Sequence, residues 1–70
     1  MEISVNGEKK VLQDKSLTIT ELLSTLKVES PDMVTVQLND KFVPRIGFEI
    51  STVSDGDRLD FLYFMGGGAF

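Results

Sequence analysis

The chain opens with an alternation of apolar and polar residues that is typical of a β-strand. Ile3 and Val5 flank a serine, and Asn6 and Gly7 follow directly. Asn-Gly is the dipeptide that best tolerates the two positive φ angles of a type I′ turn. Val11 then supplies an apolar residue for a returning strand. The pattern predicts a β-hairpin at the start of the chain.

The spacing of the apolar residues then changes to about 3.6, the period of an α-helix. Thr18 and Glu21 have the spacing of a capping box, in which each side chain binds the backbone N–H of the other residue. Pro31 disfavours helical backbone at the residue before it, and we expect the helix to end by Ser30. Four apolar residues share one face of the predicted helix: Ile19, Leu22, Leu23 and Leu26.

The second half of the chain returns to the alternation of strands. Val34, Val36 and Leu38 alternate with polar residues, and a short strand at 42–43 ends at Pro44. Proline cannot donate to a β-ladder, so Pro44 indicates an edge position. With the first half, this gives the order ββαββ. We expect an α+β domain with one helix packed across one face of the sheet and the opposite face open.

The last predicted strand runs from Arg58 to Phe64 and has a charged residue, Asp60, in its middle. Because this carboxylate must face water, it fixes the register of the strand. Leu62 and Phe64 then lie on the wet face with Asp60, which is an unusual place for two large apolar side chains. The residues expected to point into the core are Leu59, Phe61 and Tyr63.

Composition argues against several classes of function. The 70 residues contain neither cysteine nor histidine, which disfavours thiolate chemistry, most zinc sites and the usual general base. We therefore expect no metal site, no cofactor and no catalysis by the chain's own side chains. A net charge of -4 disfavours nucleic acid and anionic lipid as partners. Without a long apolar run or a signal-peptide pattern, we expect a cytoplasmic protein that does not bind membranes.

Three glycines follow the last predicted strand, at positions 66–68. Glycine loses the most conformational entropy on ordering and has no side chain to bury. Residues 66–70 are therefore expected to form a flexible tail beside a folded body made of residues 1–65. Such a slender tail could carry a carboxylate into the narrow active site of an enzyme.

These motifs, in this order, resemble the ThiS-type sulfur carriers of the ThiS/MoaD ubiquitin-like family. The resemblance covers essentially the whole chain and implies a β-grasp fold whose mixed sheet has its first and last strands central and parallel. It rests on the opening Ile-Ser-Val-Asn-Gly-Glu, the helix start at 17–23, the strand at 34–39, Val43-Pro44-Arg45, Asp55-Gly56-Asp57 and the stretch from Phe64 to Gly68.

The resemblance implies a carrier protein and not an enzyme. An E1-like adenylating enzyme of the ThiF/MoeB type, using ATP and Mg, would activate the terminal glycine, which corresponds to Gly68. A cysteine desulfurase would supply the sulfur of a thiocarboxylate, and thiazole synthase, on the route to thiamine, would accept it. The residues expected to bind partners are Leu62, Phe64, Met65, Gly66, Gly67 and Arg45.

Ala69 and Phe70 depart from the simplest family pattern, which ends on the glycine. They hold Gly68 in a peptide bond, so we expect a precursor that a peptidase processes between Gly68 and Ala69. Two alternatives remain open. The same chemistry could serve molybdopterin, cysteine or methionine synthesis, or the chain could be a β-grasp interaction module that never activates its C-terminus.

Overall fold

The computed structural model describes residues 1–63 of the chain, with Tyr63 as backbone only. Within this range the strands are β1 (Glu2–Val5), β2 (Glu8–Val11), β3 (Ser16–Thr18), β4 (Val34–Leu38), β5 (Lys41–Val43), β6 (Thr52–Ser54) and β7 (Arg58–Tyr63). The helix α1 (Ile19–Thr25) follows β3 directly. Two short 3-10 turns, Pro31–Met33 and Arg45–Gly47, precede β4 and follow β5.

Five of the strands form one mixed sheet in the order β2-β1-β7-β4-β5. β1 and β7 are adjacent and parallel, paired through Ser4 with Arg58 and Val5 with Leu59. The other neighbours in this sheet are antiparallel. The expected α+β, ubiquitin-like β-grasp fold is confirmed, including the parallel pairing of the first and last strands. β5 lies at the edge of the sheet, as Pro44 indicated.

One hydrophobic core fills the space between the sheet and α1. The helix contributes its predicted apolar stripe, of which Ile19, Leu22 and Leu23 are buried. Leu26 lies at the margin of the core and is partly buried. The sheet and its connections contribute the remaining buried residues: Ile3, Val5, Val34, Val36, Val43, Phe48, Val53, Leu59 and Phe61. Within residues 1–63, the helix thus covers one face of the sheet and leaves the other uncovered.

The two local signals that were strongest in the sequence are confirmed. Asn6 and Gly7 have φ angles of 52° and 84°, as a type I′ turn requires. At the helix start, the Glu21 N–H donates to the Thr18 hydroxyl at 3.1 Å, and the Thr18 N–H donates to the Glu21 carboxylate at 2.9 Å. This capping box satisfies two backbone donors that would otherwise have no partner.

The predicted order ββαββ is incomplete. β3 and β6 form a separate two-stranded antiparallel sheet, in which Leu17 faces Val53. Each of these strands has three residues, which is too short to show an alternation in the sequence. The small sheet extends the domain at the start of the helix, because β3 leads directly into α1.

The helix ends at Thr25, before the limit that Pro31 sets at Ser30. The Lys27 N–H donates to the Ser24 carbonyl at 3.1 Å, and the Val28 N–H donates to the Leu23 carbonyl at 3.0 Å. These are the two hydrogen bonds of a Schellman motif. Lys27 is the left-handed residue of the motif, with a φ of 57°, where glycine is usual.

Candidate functional site

The uncovered face of the sheet carries the candidate docking residues. We call it the open face; near β7 it consists of Thr35, Gln37, Phe42, Asp60 and Leu62. On β7, Leu59 and Phe61 are buried, whereas Leu62 is 45% exposed and lies opposite Thr35 of β4. The register that Asp60 predicted is therefore confirmed for these residues. That Leu62 contacts a partner stays a prediction.

Phe42 is a second exposed apolar side chain on the open face, and the sequence analysis did not identify it. It is 63% exposed and pairs with Gln37, which itself pairs with Asp60 of β7. Phe42 and Leu62 thus lie on either side of β4. The sequence signal that could have placed Phe42 is the neighbouring Val43. Two consecutive strand residues face opposite sides of the sheet, so if Val43 points into the core, Phe42 points outward.

A cluster of charges lies on the open face at the start of β7. The Arg58 guanidinium forms an ion pair with Asp40 and lies 3.9 Å from Asp60. The hydrogen bond to Asp40, followed by the charge of Asp40, raises the pKa of Arg58 above its ordinary value. The guanidinium therefore stays charged. Because these groups are exposed, the pairs add little to stability and instead leave a polar margin beside Leu62.

The start of β7 is held by a network of side chain to backbone hydrogen bonds. The Arg58 N–H donates to the Asn39 side-chain oxygen at 2.9 Å, and the Asn39 N–H donates to the Arg58 carbonyl at 2.7 Å. The Asn39 amide also donates to Asp57 at 3.1 Å, and Asp57 accepts from the Ser54 N–H at 2.8 Å. These bonds anchor the first residue of β7 to the turn after β4.

Asn6 holds the middle of β7, a role that the sequence analysis did not identify. Its backbone N–H donates to the Leu59 carbonyl at 2.9 Å, as in a parallel ladder. Its side-chain oxygen accepts from the Phe61 N–H at 2.7 Å. Because Asn6 has already turned into left-handed backbone, its side-chain oxygen takes the place of the strand carbonyl that would normally accept this bond.

Arg45 lies on the other side of the sheet from Leu62. Its guanidinium donates to the carbonyls of Pro31, at 3.2 Å, and Asp32, and its charged end lies 5.7 Å from the centre of the Phe48 ring. These contacts fasten the turn Pro31–Met33, which leads into β4. The structure therefore does not bring Arg45 together with the open face, and it gives Arg45 an internal role. Its predicted contact with a partner is untested.

The other predicted site residues lie outside the described part of the chain: Phe64, Met65, Gly66, Gly67, Gly68, Ala69 and Phe70. The last residue described, Tyr63, pairs with Val34 of β4, and β7 is the central strand of the five-stranded sheet.

The interior of the described body is apolar. Across residues 1–62 no polar or charged side chain is buried. Over the described residues there is no group of three or more potential metal ligands, and no helix with the length and hydropathy needed to cross a membrane. What the arrangement presents is an open face with two exposed apolar side chains, Phe42 and Leu62, among polar ones.

Comparison with known proteins gives consistent matches. The model of the ThiS family matches residues 1–68. The crystal structure of the thiamine biosynthesis protein (ThiS) from Geobacter metallireducens is 49% identical, with a TM-score of 0.90 over 97% of this chain and 100% of that chain. The solution structure of a thiamine biosynthesis protein from the same organism gives 49% identity and a TM-score of 0.80, covering 100% of this chain and 91% of that one.

A curated relative is much longer than this chain. It is the thiazole synthase of Paramagnetospirillum magneticum, 36% identical over 69 residues. The match covers 99% of this chain but 21% of the relative, so the chain spans about a fifth of the length of that protein.

Proposed function

The chain belongs to the ThiS family of sulfur carriers, and we propose that it carries sulfur as a thiocarboxylate on Gly68 for the thiazole of thiamine. The observation that carries this proposal is the extent of the family match, which ends at residue 68. The match thus includes the whole glycine run and stops before Ala69. Gly68 is then the residue whose acyl group is activated.

The chemistry requires a free carboxylate at Gly68. One of its oxygens attacks the α-phosphorus of ATP, which gives an acyl adenylate and releases pyrophosphate. A sulfur nucleophile, carried as a persulfide by a cysteine desulfurase, then displaces AMP, and reductive cleavage of the sulfur–sulfur bond by a thiol leaves the thiocarboxylate. The E1-like adenylating enzyme binds the ATP and Mg, so the carrier itself needs no catalytic side chain.

A peptide bond after Gly68 offers no carboxylate oxygen to this reaction. Ala69 and Phe70 follow Gly68 in the sequence. We therefore propose that a peptidase cleaves between Gly68 and Ala69 before activation. Residues 66–68 then form the tail that enters the partner, and residues 1–65 form the body that docks.

Thiazole synthase is the proposed sulfur acceptor. The support is the relative of that name, whose matched segment corresponds to 99% of this chain. The same tail chemistry could serve another acceptor, so the choice of acceptor is a separate part of the proposal and needs its own measurement.

Leu62 and Phe42 are the proposed anchors of the docking face. Both are large, apolar and exposed; Leu62 lies on β7, the strand that precedes the tail in the sequence, and Phe42 lies on β5, across β4 from it. Binding energy at protein interfaces is concentrated in a few such side chains. A partner that covers them therefore receives the tail in a defined direction.

The test compares two chains, one ending at Gly68 and one at Phe70. Each is incubated with the cognate adenylating enzyme, ATP, Mg and a desulfurase with cysteine, and its intact mass is measured. We expect the chain ending at Gly68 to exchange one oxygen for sulfur and the chain ending at Phe70 to stay unchanged. Adding thiazole synthase with its substrates should return the carboxylate form.

Three outcomes would count against parts of the proposal. Sulfur on the chain that ends at Phe70 would contradict the processing step. Modification of neither chain would contradict the carrier chemistry and favour an interaction module. A thiocarboxylate that thiazole synthase leaves intact would contradict the proposed acceptor only.

A further inference from the structure

The outer edges of the five-stranded sheet are protected in the usual ways. An unprotected edge strand is a template for pairing with another chain. β2 carries three charged residues in a row at its edge, Glu8 to Lys10, and β5 has only three residues and ends before Pro44. Inside the sheet, however, β7 is longer than its contact with β1.

The second half of β7 has a partner on one side only. β1 pairs with β7 at Arg58 and Leu59, whereas β4 pairs with it as far as Tyr63. Successive backbone groups in a strand point to opposite edges. Because the Leu59 carbonyl and the Phe61 N–H both point towards β1, the Phe61 carbonyl and the Tyr63 N–H point to that side as well.

Asn6 closes the ladder on this side of β7. Its side chain satisfies the Phe61 N–H, and the chain then turns back into β2. Within residues 1–63, no hydrogen bond on the β1 side meets the Phe61 carbonyl. Among residues 1–63, the strand edge beyond Asn6 is thus free, and it consists of the Phe61 carbonyl and the Tyr63 N–H.

A groove of about 640 Å³ lies beside this free edge. One wall is formed by the hairpin residues Val5 and Asn6, and the opposite wall by Val28 and its neighbours after α1. Phe61 contributes to its lining as well. The groove lies on the helix side of the sheet and reaches β7 at Phe61.

We propose that the adenylating enzyme adds an extended segment of its own backbone to this free edge of β7. The segment would donate an N–H to the Phe61 carbonyl and accept from the Tyr63 N–H, and Asn6 would mark where the pairing ends. This inference rests on the proposed function, since it concerns the enzyme that receives the tail.

Two observations favour this occupant. The available groups are one backbone acceptor and one backbone donor in strand geometry, and these recognise another extended backbone whatever its side chains. The free edge is also continuous with the residues that lead to Gly68. An enzyme that takes the tail into its active site therefore lies close to this edge. Pairing between the enzyme and the edge would fix the direction of the tail.

Amide hydrogen exchange tests the pairing directly. The chain ending at Gly68 is measured alone and with saturating adenylating enzyme, without ATP. We expect exchange of the Tyr63 amide to slow by about tenfold or more in the complex, since a free amide becomes hydrogen-bonded. The Phe61 amide is the internal control, because Asn6 already protects it in the free chain.

A matched pair of variants tests the same bond by affinity. Tyr63→Pro and Tyr63→Ala both remove the side chain, but only Tyr63→Pro removes the N–H. That N–H does not take part in the ladder with β4, and proline is tolerated at such positions. We expect Tyr63→Pro to bind the enzyme about tenfold more weakly than Tyr63→Ala, as for the loss of one hydrogen bond.

The outcomes separate this inference from the proposed function. If the enzyme binds and forms the thiocarboxylate while the Tyr63 amide exchanges at its free rate, strand addition is wrong and the carrier function stands. Protection of Tyr63 in the chain alone that grows with concentration would mean that a second copy occupies the edge, which also overturns the proposal. If no complex forms, both the carrier function and strand addition are contradicted. If Tyr63→Pro fails to fold, hydrogen exchange of the Tyr63 amide in the unmodified chain still tests the pairing.

Discussion

Leu59 and Leu62 are the same residue type on the same strand, yet they belong to opposite faces of the sheet. Leu59 is 0% exposed and lies against the helix side of the core, whereas Leu62 is 45% exposed on the open face. Burial of a leucine stabilises the fold by about 1.5–3 kcal/mol, and an exposed leucine forgoes most of this. The difference indicates that one face of β7 serves stability and the other is available for binding.

The ion pairs of the open face are exposed, as Leu62 is. On the open face, Glu2 pairs with Lys9 and Arg58 pairs with Asp40, all of them exposed to water. Such pairs contribute between about 0 and 1 kcal/mol each. The side chains of the open face can therefore change with little cost to the fold. The core and the open face of the sheet can therefore be mutated separately.

The largest expected effect comes from truncating the buried member of the leucine pair. Leu59→Ala should lower the free energy of unfolding by about 2–5 kcal/mol, because it leaves a cavity in the core. Leu62→Ala makes the same chemical change on the other face and should cost about 0.5 kcal/mol or less. Urea denaturation of the two variants gives the comparison. Equal losses would mean that Leu62 packs as tightly as Leu59 and that the open face is not available for docking.

A smaller effect is expected when the open face itself is changed. Leu62→Ser and Phe42→Ser should each weaken binding of the adenylating enzyme by about 1–2 kcal/mol, because each removes an apolar anchor. Val11→Ser is the matched control, since Val11 is 74% exposed on the same face but lies on β2, at the far edge of the sheet. Calorimetric titration of the purified proteins measures all three. A loss with Val11→Ser equal to the others would show that the docking face extends across the whole sheet.

The smallest expected effect lies on the helix side and has the opposite sign. Lys27→Gly should raise the free energy of unfolding by about 0.5–1 kcal/mol, because glycine adopts the left-handed backbone at this position without the steric cost that lysine bears. Lys27→Ala keeps that cost and should give no gain. Thermal denaturation of both variants makes the test. A gain with alanine as well would point to the charge of Lys27 and not to its backbone.

The features that the sequence predicted correctly depend on neighbours along the chain. Asn6 and Gly7 specify the turn of the hairpin, and Thr18 and Glu21 specify the helix start through contacts three residues apart. The face of Leu62 followed from the single charge of Asp60. Each of these signals is complete within a few residues.

The missed features depend on pairing across the chain or on an unusual residue. β3 and β6 bring Leu17 together with Val53, and three-residue strands carry no pattern of their own. The exact end of the helix, before the limit set by Pro31, was not predicted because Lys27 stands where glycine would have marked it. That Phe42 and Leu62 lie near each other on the open face follows only from the pairing of β4 with both β5 and β7.

The place of β7 in the chain has a consequence for synthesis on the ribosome. β7 occupies the centre of the sheet and follows every other strand in chain order. A nascent chain that has emerged only as far as β6 lacks Leu59 and Phe61, two buried residues of the core. Contacts between the first and last strands are the most distant in sequence and must therefore form late. The strand that completes the sheet is also the one that precedes the glycines in the sequence, so the open face can form only after β7 has been synthesised.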